Sequence, residues 1–366
     1  MSSGDVGLTP SEHVALAPFS TLGVGGAARW FMTATRVEDV GAAHHWCRER
    51  GIPLFVLGGG SNLVIADDGF AGLVLRVSLK GVDVAEARHE ALVTAGAGEA
   101  WDSVVDVIVA AGLSGVEALS GIPGTVGGTP IQNVGAYGQE VSHVIDRVTV
   151  FDRSQSRMDE FARDACHFGY RSSRFKHADA GRFIVCGVTF RLTAAPPAVA
   201  YEDVARELRD QRRVRPSVRD VRAAVLAVRR RKGMVIDAAD PDTRSVGSFF
   251  VNPVLRPDAG GEIARLAGEA VPTHPAGDGR VKVSAAWLIE RSGFARAHVD
   301  GAVGLSSKHP LAIINRGRAS AGDVLRLAAR IKRSVVDTFG IWLRPEPVFV
   351  GLDENPEVEF LQRAHG

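Results

Sequence analysis

Residues 120–140 read SGIPGTVGGTPIQNVGAYGQE, and this glycine-rich segment says more about the fold than any other part of the chain. Six glycines and two prolines fall within its 21 residues, beside polar side chains such as Gln132 and Asn133. A glycine can adopt a positive φ and lets the backbone approach a ligand with no Cβ between them. Exposed backbone N–H groups beside amide side chains suit a pyrophosphate and a heteroaromatic ring. The segment therefore predicts a cofactor loop, with a long surface loop as the alternative.

A second glycine-rich segment, GGGSN at 58–62, could indicate a dinucleotide-binding βαβ unit. That motif requires a strand, a glycine turn and then a helix. Here the glycines lead into Leu63, Val64 and Ile65, which predict a strand, so the βαβ interpretation fails. The turn still presents N–H groups to an anion, and a tight hairpin is the alternative. Two such loops in one predicted domain favour a large cofactor that carries phosphate.

Length and composition limit the classes of protein to consider. A chain of 366 residues with 45% hydrophobic content predicts two or three domains with real cores. With 43 basic against 42 acidic residues, no net field favours nucleic acid or a membrane surface. Three widely spaced cysteines, and histidines without ligand spacing, predict neither a disulfide framework nor a metal site. Because we find neither a signal peptide nor a membrane-spanning run, we expect a cytoplasmic protein, and we expect a monomer.

Hydrophobic periodicity predicts an α+β chain with mixed strand order up to about residue 195. The prolines of the segment LTAAPPAV then interrupt regular structure, and a second α+β unit follows a domain boundary near residue 215. Ser217 with Asp220, and Ser320 with Asp323, resemble capping boxes at helix starts. The predicted helices are 37–50, 101–111, 201–213, 218–231, 261–270, 285–292 and 322–339. The predicted strands are 53–57, 63–66, 72–77, 92–95, 147–151, 183–192 and 342–351.

Seven motifs, taken in order, resemble the UDP-N-acetylenolpyruvoylglucosamine reductase (MurB) family, flavoenzymes of peptidoglycan precursor synthesis. They are TLGVGG at 21–26, LGGGSN at 57–62, the segment 120–140, FGYRSS at 168–173, GSFFVNP at 247–253, AWLI at 286–289 and LRPE at 343–346. The resemblance implies an α+β fold. It consists of a two-lobed FAD-binding module of the vanillyl-alcohol-oxidase (PCMH) type and a C-terminal α+β substrate-binding domain.

The same resemblance implies the domain limits. The first FAD-binding lobe would span residues 1–75, the second lobe 76–214 and the substrate-binding domain 215–343, with residues 344–366 returning to the FAD module. The stretch YEDV at 201–204 resembles the branch of the family with an additional tyrosine-bearing loop. Glu202 stands where that branch has a glycine.

The implied activity is that of a UDP-N-acetylmuramate dehydrogenase. NADPH reduces FAD, and UDP-N-acetylglucosamine enolpyruvate then receives a hydride from flavin N5 at C3 and a proton at C2. Ser248 matches the family's proton donor, and Arg171 and Glu346 match the groups that stabilise the enolate. Taken alone, these residues also fit a turn or N-cap serine, a surface cation and an exposed carboxylate at a strand edge.

The resemblance also implies residues that bind the cofactor and the substrate. Tyr201 and Lys232 would meet the UDP diphosphate, and Asn252 and Arg291 other parts of the substrate. The alternative for Lys232, and the favoured interpretation of the three arginines before it, is that they complement a helix dipole. Neither glycine loop contains His or Cys, so we expect FAD to be bound non-covalently. The implied FAD contacts are Gly58, Gly59, Gly60, Ser61, Asn62, Ser120, Ile122, Pro123, Gly124, Thr125, Gly127, Gly128, Gln132, Asn133, Gly135, Ala136 and Tyr137.

Two other functions remain open from the sequence. The same FAD module could serve an oxidase or dehydrogenase of a small alcohol or sugar acid, although such an enzyme needs no donor of a proton to C2. A non-enzymatic nucleotide-binding regulator is the other possibility, and the presence of Ser248, Arg171 and Glu346 together argues against it.

Overall fold

The computed structural model describes residues 9–86, 90–277 and 279–364. The chain forms two compact units. The first comprises Met1–Val14, Ala28–Gly60 and Ala71–Val235, and the second comprises Ala15–Ala27, Ser61–Phe70 and Ile236–Gly366. The division falls after residue 235, whereas the sequence places a boundary near residue 215. The predicted division into two lobes and a substrate-binding domain stays a prediction.

Both units contain helices and strands, which confirms the predicted α+β class. The helices are α1 (Val37–Arg50), α2 (Trp101–Ala110), α3 (Thr129–Gln132), α4 (Glu202–Asp210), α5 (Val218–Arg231), α6 (Ala259–Ala267), α7 (Ala285–Arg291), α8 (Ala321–Phe339) and α9 (Pro356–Gln362). The strands are β1 (Ser11–Ala15), β2 (Ala27–Ala34), β3 (Leu54–Leu57), β4 (Leu63–Ile65), β5 (Phe70–Val77), β6 (Val82–Glu86), β7 (Glu90–Gly96), β8 (Gly135–Ala136), β9 (Gln139–Glu140), β10 (Ile145–Asp152), β11 (Arg157–Ala162), β12 (Phe183–Thr193), β13 (Val254–Leu255), β14 (Thr273–Pro275), β15 (Val281–Val283), β16 (Val299–Asp300), β17 (Val303–Leu305), β18 (Ile313–Asn315) and β19 (Val348–Val350).

Two larger sheets build the first unit. One has the strand order β1-β2-β5-β3, with β3 parallel to β5. The other is antiparallel with the order β11-β10-β12-β7-β6. Val188 of its central strand pairs with Val148 on one side and Ala95 on the other, and all three are buried. Helix α2 buries Trp101 and Ile108 in the same core, so it packs against this sheet.

Helices α4 and α5 pack together at the end of the first unit. Their buried residues Val204, Leu208 and Val225 form a small cluster with Ala118, just before the glycine-rich segment. The capping box at the start of α5 is confirmed, because Ser217 accepts a hydrogen bond from the Asp220 backbone and the Asp220 carboxylate accepts one from the Ser217 backbone. Helix α5 therefore begins and ends at the predicted residues.

The second unit is built around helix α8. Its apolar stripe, which includes Val324, Ala328, Ile331 and Val335, is fully buried. The predicted capping box at Ser320 is confirmed at its first turn. Small sheets surround the helix, with the strand orders β13-β15-β14 and β16-β17-β18, and β19 runs parallel to β4.

A buried lysine attaches the C-terminal helix to this unit. Lys332 of α8 has no exposed surface, and its Nζ donates to the carbonyl oxygens of Leu361 and Arg363, both at 2.7 Å. The ammonium lies 5.2 Å from the Trp342 ring centroid and 5.4 Å from that of Phe360. Burial lowers the pKa of Lys332 to about 8. Helix α9 therefore packs on the buried ammonium group of Lys332.

The last predicted strand, Trp342–Gly351, is wrong over most of its length. Only Val348–Val350 form a strand, because Pro345 and Pro347 cannot donate a backbone hydrogen bond to a neighbouring strand. After this strand, the Asn355 side chain caps the start of helix α9. Cys47, Cys166 and Cys186 are free thiols, all of them buried, and burial raises their pKa values to about 11, 11 and 12.

Candidate active site

The two glycine loops come into backbone contact in the first unit. A Cβ added at Gly59 would lie 2.5 Å from the Cα of Gly124, and one added at Gly58 would lie 2.9 Å from the Thr125 hydroxyl. No side chain fits between atoms at such distances, so glycine is required for this approach. The structure thus brings together segments more than sixty residues apart that the sequence had assigned to one cofactor.

The longer loop is held by the elements beneath it. Gly124, at φ +122, accepts a hydrogen bond from the Trp101 backbone at 3.0 Å. Gly127 donates to the Ala97 carbonyl at 2.9 Å, and a Cβ at Gly127 would lie 2.8 Å from the Ala97 methyl group. Strand β7 and helix α2 therefore fix the path of the loop.

A carboxylate anchors the start of this loop. Asp102 accepts hydrogen bonds from the Gly121 backbone at 2.6 Å and from Arg222 at 2.6 and 3.1 Å. Burial is the largest single effect on the pKa of Asp102 and raises it, but the bonds from Arg222 and Gly121 outweigh burial, and the pKa is lowered. Asp102 is therefore ionised at neutral pH and able to hold the turn at Gly121, whose φ is +70.

The Asn133 side chain makes its hydrogen bonds within the protein. It is fully buried at φ +43, and its amide donates to Glu140 and to the Gly169 carbonyl, each at 2.8 Å. Its carbonyl accepts from the Ser142 backbone at 3.2 Å. The Ser120 hydroxyl likewise donates internally, to the Glu117 carbonyl at 2.7 Å. These side chains maintain the shape of the loop, so we expect their contribution to ligand binding to be indirect.

Arg171 is joined to the same loop. Its Nη2 donates to the Gly135 carbonyl at 2.6 Å, and its Nη1 lies 3.5 Å from the Asn133 carbonyl. The residue is half-buried and has a φ of +51, within a turn in which Gly169 and Ser172 exchange two backbone hydrogen bonds of 3.0 Å. The arginine is therefore not a freely solvated surface cation.

Tyr137, Tyr201 and Lys232 lie together in the first unit. The two tyrosine rings meet edge to face with centroids 5.8 Å apart, and Lys232 Nζ is 5.9 Å from the Tyr137 centroid. Lys232 also pairs with Asp203 at 2.7 Å. The hydrogen bond from Lys232 lowers the pKa of Asp203, so the pair is ionic at neutral pH. The tyrosine-bearing segment thus lies beside the end of the glycine-rich loop.

Arg229 differs from its sequence interpretation. It was grouped with its neighbours as complementing the α5 dipole, but only 9% of it is exposed. Its Nη2 donates to the Met234 carbonyl at 2.8 Å and lies 3.4 Å from the Gly121 carbonyl. Its Nε is buried and has no hydrogen-bond partner within the described part of the chain. The periodicity of α5 is a signal that could have found this burial, since position 229 continues the apolar face of Val221 and Val225.

In the second unit, three chain segments lie side by side around Phe249. The Phe249 backbone donates to the Leu311 carbonyl at 2.8 Å, and its own carbonyl accepts from the Glu346 backbone at 2.9 Å. The middle segment carries Ser248, and one outer segment carries Glu346. The predicted proton donor and the predicted acid are therefore on hydrogen-bonded neighbouring segments.

The other outer segment carries a residue that the sequence did not indicate. His309 Nε2 lies 3.0 Å from Ser248 Oγ. The spacing of the histidines along the chain indicated no partner for His309, because 61 positions separate this pair. No short-range pattern could have found it.

Comparison with known proteins identifies the family. Family models match the chain as an FAD binding domain over residues 28–157 and as the C-terminal domain of UDP-N-acetylenolpyruvoylglucosamine reductase over residues 240–350. The reductase of Thermobifida fusca is 47% identical over 351 residues, spanning 93% of this chain and 98% of that protein. The chain belongs to the UDP-N-acetylenolpyruvoylglucosamine reductase family.

Further members of the reductase family agree with this. The reductase of Cutibacterium acnes is 45% identical over 350 residues, which cover 94% of this chain and 91% of that protein. The crystal structure of the reductase from Thermus caldophilus matches with a TM-score of 0.64 and 26% identity, over 94% of this chain and 99% of that one. The family prediction, the oxidoreductase class and the α+β fold with its FAD-binding module are therefore confirmed.

The two glycine loops of this reductase-family chain fit an FAD group. The contact between the loops at Gly59 and Gly124 leaves backbone where a Cβ would otherwise stand, and Arg229 supplies a buried unpaired donor beside Gly121. In the part of the chain that the structure describes, no cluster of His, Cys, Asp or Glu could hold a metal ion. Within the same residues, no helix has the length and apolar character needed to cross a membrane.

The remaining substrate-binding predictions fall on residues with structural partners. Asn252 accepts a hydrogen bond from the Ala285 backbone at 2.9 Å and so supports the start of helix α7. Arg291 forms an ion pair with Glu269 and lies 5.9 Å from the Trp287 ring centroid. Both sit in the second unit, and their substrate roles stay predictions.

Proposed function

We propose that the chain is an NADPH-dependent flavoenzyme that reduces UDP-N-acetylglucosamine enolpyruvate to UDP-N-acetylmuramate in peptidoglycan precursor synthesis. The observation that supports this most is the placement of Ser248 and Glu346 on adjacent segments, in a chain whose two parts match the FAD and C-terminal domains of one reductase family. The relatives' names state the reductase activity for those proteins. We also propose that it acts in the cytoplasm as a monomer.

FAD would be held non-covalently by the two glycine loops, with Gly58–Gly60 and Gly124–Gly128 offering backbone and Ala136 and Tyr137 as further contacts. Bound FAD supplies a hydride acceptor for NADPH and a hydride donor for C3 of the enol ether. The protein's part is to position the reactants and to manage the charge and the proton that the reduction requires.

Three side chains carry that part. Addition of hydride at C3 leaves negative charge on C2, which spreads into the adjoining carboxylate. The Arg171 guanidinium is permanently charged and can hold that carboxylate through two parallel hydrogen bonds. Ser248 would give its hydroxyl proton to C2. Glu346 would stabilise the same enolate.

Four further residues would bind the substrate. Tyr201 and Lys232, which lie beside Tyr137, would contact the UDP diphosphate, and the ion pair of Lys232 with Asp203 would open to admit it. Asn252 and Arg291 would contact other parts of the UDP-sugar. An ammonium on a flexible stem suits a diphosphate that arrives and leaves.

The visible spectrum of the purified protein tests this proposal. We expect a yellow protein whose flavin absorbance is bleached by anaerobic NADPH and returns when UDP-N-acetylglucosamine enolpyruvate is added. Oxidation of a small alcohol or sugar acid with O₂, without a response to the enolpyruvate, would indicate the oxidase instead. A colourless protein that stays without flavin after FAD is added would indicate a nucleotide-binding regulator.

A further inference from the structure

The hydrogen bond between Ser248 and His309 carries a consequence for proton transfer. A serine hydroxyl is a very weak acid, and after giving up its proton the oxygen bears a full negative charge. A donor in hydrogen-bond contact with that oxygen stabilises the charge and can replace the proton. His309 Nε2, at 3.0 Å from Ser248 Oγ, is within the usual range for such a transfer.

The loop that carries His309 is rigidly held. Ser306 is fully buried, and its hydroxyl accepts hydrogen bonds from the backbones of Lys308 at 3.0 Å and His309 at 3.2 Å. Ser307 donates to Asp242 through its hydroxyl at 2.6 Å and its backbone at 3.1 Å. The Phe249–Leu311 backbone bond ties the loop to the segment of Ser248. The imidazole is thus positioned against Ser248 by the fold.

We infer that His309 is a positioning residue that supplies the proton of Ser248, a role that rests on the proposed function. The imidazolium Nε2–H bond breaks as its proton passes to Ser248 Oγ, while the Oγ–H proton forms the new bond to C2 of the substrate. The substrate gains one proton, Ser248 ends as a hydroxyl, and His309 ends as neutral imidazole. Solvent then restores the imidazolium.

Charged side chains on the neighbouring segments set the electrostatic field at His309. On its own loop, Lys308 is paired with Asp240 at 2.6 Å. Asp242 faces the loop from the preceding turn through Ser307. Glu346 lies on the segment at the other side of Phe249. Replacement of His309 by glutamine keeps a hydrogen-bonding side chain in this field but removes the titration.

The test follows the half-reaction in which the reduced holoenzyme is oxidised by UDP-N-acetylglucosamine enolpyruvate, by stopped flow from about pH 5 to 8. We expect the wild-type rate to fall as the imidazolium is lost, up to tenfold per pH unit. His309→Gln should be slower by about 10²-fold at low pH and should lose this pH dependence. His309→Ala should be rescued in part by added imidazole, and NADPH reduction of the flavin should be unchanged in both.

If His309→Gln keeps the wild-type rate and pH profile, the inference is wrong and the proposed function is unaffected. Failure of the enolpyruvate to oxidise the wild-type enzyme would overturn the proposed function itself. The contact between Ser248 and His309 can be measured without turnover. The ring ¹⁵N signal of His309, assigned by its loss in His309→Gln, should change in Ser248→Ala. An unchanged signal would show that the two side chains are not in contact in solution.

Discussion

Single residues in this protein acquire their roles from conformation as much as from chemical type. Arg171 has a positive φ, and its guanidinium donates to the Gly135 carbonyl, so its position depends on a turn that few side chains adopt readily. Ser248 is a plain hydroxyl that becomes unusual only through its neighbours on either side of Phe249. Residue type alone indicated neither arrangement.

Replacement of Ser248 by alanine separates the two halves of the reaction. We expect NADPH to bleach the flavin at nearly the wild-type rate, because no proton is required at C2 in that step. Oxidation of the reduced flavin by the enolpyruvate should slow by roughly 10²–10⁴, a usual contribution of a general acid. Stopped-flow absorbance measures both, and equal slowing of the two would show that Ser248 is structural.

Replacement of Arg171 by lysine keeps the charge and removes the planar fork. Lysine meets the same backbone strain at positive φ as arginine, so the change isolates the guanidinium. We expect turnover to fall by more than tenfold, with FAD affinity nearly unchanged. Steady-state kinetics and a flavin titration measure these quantities, and release of the flavin in the variant would instead assign Arg171 to cofactor binding.

At the scale of elements, local signals predicted most of the fold. Helices α1 and α5 begin and end where periodicity and capping residues placed them. Patterns within ten or twenty residues cannot report partners far along the chain, so neither the contact of Gly59 with Gly124 nor that of Ser248 with His309 could be derived from the residues alone. The overlong last strand has a local cause, because Pro345 and Pro347 interrupt it and only Val348–Val350 form a strand, paired with β4.

The contact between the glycine loops gives a prediction for FAD binding. In Gly59→Ala the new methyl group would lie 2.5 Å from the Gly124 Cα, so one loop must move. Overpacking of this kind costs about 1–3 kcal/mol, which we expect to appear as weaker FAD binding and a lower melting temperature. Fluorescence titration of FAD and thermal unfolding measure the two.

Gly41→Ala in helix α1 is the matched control, since its Cβ would lie 3.5 Å from the Phe151 ring of strand β10, an ordinary contact. Alanine also favours a helix over glycine. This variant should keep wild-type FAD affinity and stability or gain slightly in stability. Equal loss in both variants, or none in Gly59→Ala, would contradict the packing argument.

At the scale of the whole molecule, burial of the Lys332 charge should make the free energy of unfolding depend on pH. Folding lowers the pKa of this lysine to about 8, so the unfolded chain binds the proton more tightly. The contribution of Lys332 to the free energy of unfolding should therefore rise with pH between about 8 and 10.4, by about 1.4 kcal/mol for each unit of pKa shift.

Lys332→Met isolates this effect from the cysteines, which also titrate at high pH. The difference in unfolding free energy between wild type and variant, from urea denaturation, should grow as pH rises through that window. A difference independent of pH would show that the ammonium is not buried in solution. The variant also tests the attachment of helix α9, because methionine cannot donate to the Leu361 and Arg363 carbonyls.

The three buried thiols have a practical consequence for studying this protein. Cys47, Cys166 and Cys186 are buried and resist ionisation, so maleimide dyes should not react with the native protein. A cysteine introduced at Val214, which is 93% exposed, would then be the single point of attachment. A fluorescent label at this position could follow ligand binding in real time, and the three native cysteines would not have to be replaced first.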